Sequence, residues 1–76
     1  MDVYRDKSGR SGISRYEILD RAIVLEFKVD GKRYLYTYSK PGKLHVDVMK
    51  VLAIEGMGLT TYVNQHVREN YEKRWR

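Results

Sequence analysis

The sequence predicts an α+β domain in which a three-stranded antiparallel meander packs against two helices. Three features indicate this class. Short runs rich in β-branched and aromatic residues fill the first half of the chain, and an Asp-Gly pair separates two of them. Apolar residues then recur at helical spacing. The length of 76 residues allows only one hydrophobic core.

The predicted strands cover about residues 13–19, 22–29 and 32–38. Asp30-Gly31 is typical of a two-residue type I′ hairpin turn, because both residues tolerate positive φ. That turn predicts these cross-strand pairs: Phe27 with Tyr34, Leu25 with Tyr36, and Ile23 with Tyr38. All six side chains are large and apolar or aromatic, so we expect the helices to cover this face. The opposite face carries the charged residues.

The predicted helices cover about residues 43–55 and 59–75. A Pro-Gly turn precedes the first helix, and two glycines that tolerate the left-handed conformation follow it. Thr60 or Thr61 is placed to cap the second helix. The first twelve residues are polar and rich in Ser and Gly, so we expect a mobile tail before a single domain at 13–76.

The first helix is apolar on two sides. Leu44, Val48, Val51 and Leu52 form one stripe, and the far side carries three further apolar residues: Val46, Met49 and Ala53. A helix that is apolar nearly all round is not a surface helix, and this chain is too short to supply another layer. We therefore expect a homo-oligomer that forms through the far side of helix 44–54.

The bulk composition favours a cytoplasmic protein. There is no cysteine, so disulfides and thiolate metal sites are excluded. No apolar run is long enough for a membrane span, and the polar N-terminus does not resemble a signal peptide. The net charge is +5, and most of the excess lies in residues 21–43.

This basic excess suggests a phosphate-bearing partner. Four cations on the polar sheet face and in the following loop are the candidate phosphate contacts: Lys28, Lys32, Arg33 and Lys40. A solvated charged face without a partner explains the same pattern.

A second candidate surface lies on the second helix. Asn64, Arg68, Tyr71 and Trp75 are spaced i, i+4, i+7 and i+11, which places them on one ridge. A guanidinium, an amide and two aromatic rings suit a planar base and its phosphate, or a protein interface. The alternative is that Tyr71 and Trp75 fold back over the first strand.

Patterns typical of catalysis are missing from the sequence. There is no Gly-rich phosphate loop, no nucleophile elbow and no carboxylate pair with a plausible pocket. His66 lies on the predicted inward stripe of the second helix, and its i±4 neighbours Tyr62 and Asn70 are poor zinc ligands. We expect a core histidine, no enzyme activity, and neither metal nor cofactor.

Two aromatic motifs carry a family resemblance. The first is Tyr-x-Tyr, present twice in overlap over residues 34–38. The second is a glycine-led helix start, whose residues follow in this order: Gly58, Tyr62, Asn64, Val67, Arg68 and Tyr71. From Ser11 to Tyr71 the chain resembles the KTSC domain, named for the C-terminus of some lysyl-tRNA synthetases and also found as small stand-alone bacterial proteins. An extra Thr before Tyr62 and the charged tail depart from the pattern.

The resemblance implies a β-meander followed by helices, and RNA binding has been suggested for the family. Three functions therefore stay open. The first is a non-catalytic module that binds RNA or another nucleic acid through the basic sheet face and the Arg68 ridge. The second is a homo-oligomer that sequesters a small nucleotide or signalling molecule in a phage or regulatory role. The third is a protein-interaction adaptor.

Overall fold

A computed structural model describes residues 1–76 and shows an antiparallel sheet with helices on one face. The elements in chain order are β1 (Asp2–Val3), β2 (Ile13–Leu19), β3 (Ala22–Phe27), β4 (Arg33–Thr37), α1 (Lys43–Glu55), α2 (Leu59–Tyr62) with a π-helical extension (Val63–Val67), and β5 (Lys73–Trp75). The strands follow one another across the sheet in sequence order. The α+β class with an antiparallel sheet and two helices is confirmed, but the sheet has five strands rather than three.

The core lies between the sheet and the two helices. Its buried members come from nearly every element: Tyr4, Ile13, Ile23, Leu25, Tyr36, Val46, Met49, Ala53, Leu59, Val63 and Val67. The predicted inward face of the hairpin is confirmed at Ile23, Leu25 and Tyr36, each at most 1% exposed. Burial of large apolar side chains supplies most of the favourable free energy of folding.

The register of the hairpin differs from the prediction by two residues. The observed pairs are Ile23 with Tyr36, Leu25 with Tyr34 and Glu26 with Arg33. Asp30 does not adopt positive φ, and its Oδ1 instead accepts the Lys32 N–H at 2.9 Å. The predicted register would have opposed Lys28 to Arg33, whereas the observed one opposes Glu26 to Arg33, which replaces repulsion by attraction. Because the shift is even, each side chain keeps its predicted face.

Helix α1 has its predicted bounds but the opposite orientation. Gly56 ends it in the left-handed conformation, with its N–H donated to Leu52 O at 2.9 Å. The supposed far side, which includes Met49, faces the core, while Leu44 and Val51 are 75% and 54% exposed. Both stripes are similarly apolar, so the spacing of apolar residues does not show which stripe faces the core. His45 and Lys50 flank the buried stripe, and in the observed rotation they hydrogen-bond to the Tyr62 hydroxyl and to the backbone carbonyl of Asp20.

The second helix is shorter than predicted. It ends at Val67, and Arg68 adopts φ 23° where the chain reverses. The Tyr36 hydroxyl donates to Arg68 O at 3.0 Å, and residues beyond the reversal pair with β4 as strand β5. This pairing satisfies backbone groups of β4 that would otherwise form an open edge. Gly58, rather than Thr60 or Thr61, is the N-cap. No helix is long and apolar enough to cross a lipid bilayer.

The first twelve residues, predicted to be a tail outside the domain, contribute to the fold. Strand β1 pairs with β2, and Tyr4 is only 4% exposed. The Tyr4 hydroxyl accepts the N–H of Leu59 at 3.2 Å, which satisfies a donor at the start of α2. The sequence did not show this contact because it joins residues 55 positions apart.

We expect Tyr4→Phe to destabilise the domain by about 0.5–1.5 kcal/mol, because one buried hydrogen bond is lost while the ring packing is kept. Urea denaturation followed by circular dichroism measures this change. Tyr16→Phe is the matched control, since Tyr16 also packs against the core but its hydroxyl has no hydrogen-bond partner in the chain. Equal effects of the two substitutions would contradict a specific role of the Tyr4 hydroxyl.

Candidate functional site

The sheet face opposite the helices carries a row of polar and aromatic side chains, of which Glu26 is only 8% exposed and the others are more exposed. Residues paired across antiparallel strands point to the same side. The register therefore aligns four side chains from β2 to β5 on this face, here called the uncovered face: Arg15, Glu26, Arg33 and Trp75. The side chains of Arg15 and Arg33 are 45% and 40% exposed. They are accessible to a ligand that approaches the sheet from this side.

Glu26 organises the centre of the row. Its Oε1 accepts from Arg15 Nε at 2.7 Å, and its Oε2 accepts from Arg15 Nη2 at 3.0 Å and from Arg33 Nε at 3.1 Å. These bonds, chiefly those of Arg15, lower the pKa of Glu26 to about 2. The same contacts raise the pKa of Arg15. Both guanidinium groups are thus held against the sheet by an ionised carboxylate.

The two arginines keep donors for an external partner. Arg33 uses only Nε within the chain, and Arg15 uses Nε and Nη2. The remaining Nη groups have no hydrogen-bond partner in the chain, and the bonds to Glu26 already restrain both side chains. A guanidinium fork of this kind binds phosphate oxygens with good geometry.

Strand β5 adds an aromatic ring and a further cation to the uncovered face. Trp75 pairs with Arg33, and Lys73 pairs with Leu35. Trp75 is 37% exposed, and Lys73 is exposed and forms no ion pair. Between them, Arg74 lies on the helix side, 5.9 Å from the ring centre of Tyr34. Side chains alternate along β5, so Lys73 and Trp75 lie on the uncovered face while Arg74 packs on aromatic rings on the helix side.

The four predicted phosphate contacts do not form one patch. Lys28 Nζ binds Asp6 Oδ2 at 3.0 Å, and Lys32 Nζ lies 3.9 Å from Asp30 Oδ2. The Lys28 hydrogen bond is the largest cause that lowers the pKa of Asp6. Lys40 follows the other end of β4 and forms no ion pair. Of the four, only Arg33 lies in the row on the uncovered face.

The predicted ridge of the second helix is wrong, because the helix ends before it is complete. Asn64 is exposed on the π-helical extension, and Arg68 is exposed at the chain reversal. Tyr71 packs edge-on against Tyr34, with ring centres 5.0 Å apart. Trp75 lies on β5. The structure therefore separates these residues, but it brings Trp75 beside Arg33, which belonged to the other predicted surface.

Sequence reasoning missed Arg15, Glu26 and Lys73. The signal was present as charge: in the observed register Glu26 has a basic residue opposite it on each side, whereas the register predicted from the Asp-Gly turn does not oppose it to Arg33. A register chosen from cross-strand charge, rather than from the Asp-Gly turn, identifies the row. Lys73 and Trp75 alternate with Arg74 and Arg76. An alternation with period two is typical of a strand, but we interpreted this segment as the end of the second helix.

His45, Tyr62 and His66 form a separate cluster between α1 and the second helix. His45 Nδ1 lies 2.7 Å from the Tyr62 hydroxyl, and the rings of Tyr62 and His66 are 4.4 Å apart. His66 is exposed, so its prediction as a core histidine is wrong: the helix turns this side toward solvent. No group of three or more His, Cys, Asp or Glu side chains is arranged to hold a metal.

The clefts of the molecule lie away from the row formed by Arg15, Glu26, Arg33 and Trp75. One of about 580 Å³ opens between the β2–β3 turn and the end of β4, one of about 350 Å³ lies beside the start of α2, and one of about 460 Å³ lies on the exposed side of α1. None is lined by a residue of the row. A ligand of the four-residue row would therefore lie across an open surface rather than in a pocket.

Comparison of the chain with models of protein families, with curated proteins and with solved structures found no match. Membership of the KTSC family stays a prediction, and the geometry of the uncovered face carries the functional argument.

Proposed function

We propose that the protein is a non-catalytic module that binds single-stranded nucleic acid, in the first instance RNA, across the uncovered face. The observation that carries the proposal is the pairing of Trp75 with Arg33 on an open sheet surface. It sets an exposed indole ring beside a guanidinium whose Nη groups have no partner in the chain. Lys73 lies on the same strand, two residues away from Trp75.

The chemistry of the face fits a polymer of bases and phosphates. A base stacked on an aromatic side chain contributes about 1–3 kcal/mol, and stacking requires no particular base. Arg15, Arg33 and Lys73 supply cations for neighbouring phosphates. Glu26 restrains both guanidinium groups before the ligand arrives, so less side-chain entropy is lost on binding.

The open shape of the face favours a strand over a small nucleotide. Sites for small molecules are concave and bury most of the ligand surface, and no cleft includes a residue of this row. An extended strand gains its affinity from several weak contacts in succession and needs no enclosure. The proposal that the protein sequesters a mononucleotide has no comparable support.

Fluorescence of the single tryptophan tests the proposal directly. Titration with an oligouridylate of about twelve nucleotides should quench Trp75 emission in a saturable way. The ionised Glu26 offsets one of the three cations, so a net neutralisation of about two phosphates predicts a slope of about −1.4 in log affinity against log salt, from about −0.7 per contact on a single strand. An affinity that does not depend on salt concentration, or binding that leaves the Trp75 emission unchanged, would contradict the proposal.

Variants then locate the surface. Lys73→Ala should weaken binding and reduce the salt slope by about 0.7, because one phosphate contact is removed. Lys7→Ala is the matched control, since Lys7 is exposed and unpaired but its backbone contacts the end of α1 on the helix side. Trp75→Ala, measured by filter binding, should cost about 1–3 kcal/mol of binding free energy. Equal affinities for the two lysine variants would place the site elsewhere.

A further inference from the structure

The exposed side of α1 is apolar in a chain that supplies nothing to cover it. Leu44, Val51 and Ile54 are 75%, 54% and 54% exposed. With Val48 they form a continuous strip, here called the outer face of α1, and a shallow cleft of about 460 Å³ follows it. A contiguous apolar strip of this kind on a small domain marks an interaction surface.

The charges at the two ends of α1 identify the partner. Its first turn holds no acidic residue and its last turn no basic one. Lys43 begins the helix and Glu55 ends it. Each side chain has the same sign as the partial charge of the helix dipole at its end, which is unfavourable. Glu55 forms no ion pair, and the Lys43 side chain is 70% exposed although it contacts Asp47. Glu55 would gain from an opposite charge outside the chain, whereas Lys43 already forms an ion pair with Asp47 at 2.6 Å and would share its charge with a second carboxylate.

The spacing of four outward residues of α1 is symmetric about its midpoint, although the residues at its two ends differ. Leu44, Val48, Val51 and Glu55 are spaced i, i+4, i+7 and i+11, and the spacing reads the same in reverse. An antiparallel copy therefore places Val48 opposite the partner's Val51. It also places Leu44 opposite the partner's Glu55, with Lys43 one residue away along the helix. A two-fold interface requires this kind of self-complementarity.

We propose that the outer face of α1 is a homodimer interface, occupied by α1 of a second copy in antiparallel orientation. The apolar strips bury each other, and a Lys43–Glu55 contact forms at each end. The uncovered faces, on the other side of each sheet, then point away from the interface. The dimer presents two such faces on opposite sides, so this arrangement does not compete with the proposed binding of nucleic acid.

Sedimentation equilibrium of the full chain tests the interface. We expect the average mass to rise from monomer to dimer between about 10 μM and about 1 mM, since a small helix-to-helix interface is of modest affinity. Val51→Lys should raise the dissociation constant at least about 100-fold, because two-fold symmetry removes two buried valines for each substitution. Val29→Lys is the matched control, since Val29 is 90% exposed in the β3–β4 loop. It should leave dimerisation unchanged.

Charge reversal tests the orientation. K43E and E55K should each weaken the dimer, because each sets like charges together at both ends of the interface. The double variant K43E/E55K should restore it, because the reversed charges again meet their opposites. A monomeric wild type at 1 mM, or Val51→Lys with the affinity of Val29→Lys, would overturn the interface and leave the outer face for a different protein. Failure of the double variant to recover would overturn the antiparallel arrangement.

Discussion

Replacing Met49 by Asp will unfold the domain, whereas replacing Val51 by Asp will leave it folded. Met49 is fully buried between α1 and the sheet, while Val51 is more than half exposed on the opposite side of the same helix. An unpaired carboxylate in the core costs several kcal/mol. A domain of this size has about 4–11 kcal/mol of total stability, so the first substitution removes most or all of it.

The two variants form a matched pair because they introduce the same residue into one helix. Circular dichroism and urea denaturation at low micromolar concentration compare them without a contribution from self-association. The opposite result, an unfolded Val51→Asp and a folded Met49→Asp, would restore the orientation that the sequence pattern predicted. It would also remove the outer face of α1 as a candidate interface.

Lowering the pH will destabilise the protein in the pH range where Glu26 is ionised in the folded state but protonated in the unfolded state. The pKa of Glu26 is about 2 in the folded protein against 4.5 for the ordinary side chain. Between these values the unfolded chain binds a proton that the folded chain does not, so protons favour unfolding. The stabilising contribution is fully present above about pH 5 and is lost as the pH falls toward 2. Asp6 and Asp47 have lowered pKa values and add to the effect in the same direction.

Glu26→Gln isolates the contribution of this carboxylate. At neutral pH the variant will be less stable than the wild type, because Arg15 and Arg33 then face each other without a counter-charge. Its stability will also depend less on pH between about 5 and 2. Urea midpoints over this range measure both effects. Glu17→Gln is the control, since Glu17 lies on the same sheet face but forms no ion pair. An acid dependence equal to that of the wild type would exclude Glu26 as the cause.

The candidate site was only partly accessible to sequence analysis. Arg33 and Trp75 were selected for their chemistry, yet on two separate surfaces, and the structure places them side by side. Their adjacency depends on the chain reversal at Arg68, which the hydroxyl of Tyr36 stabilises from a distant strand. Lys28 and Lys32 were selected for their charge, but carboxylates close to them in space already bind them. Arg33 also binds a carboxylate, that of Glu26, but it lies in the row with Trp75 and keeps Nη donors that have no partner in the chain. Composition shows how many cations a chain has, whereas only the fold shows where they lie and which donors they keep.

The sequence by itself determined the local elements and the composition of their faces. Strand β2 and helix α1 have their predicted bounds, because hydrophobic period and glycine caps act over a few neighbouring residues. The tertiary structure alone decided the hairpin register, the rotation of α1 and the fifth strand. Each depends on a contact between distant residues, such as Glu26 with Arg33 or the Tyr4 hydroxyl with the Leu59 N–H. Local propensity carries no information on such contacts, and the uncovered face depends on them.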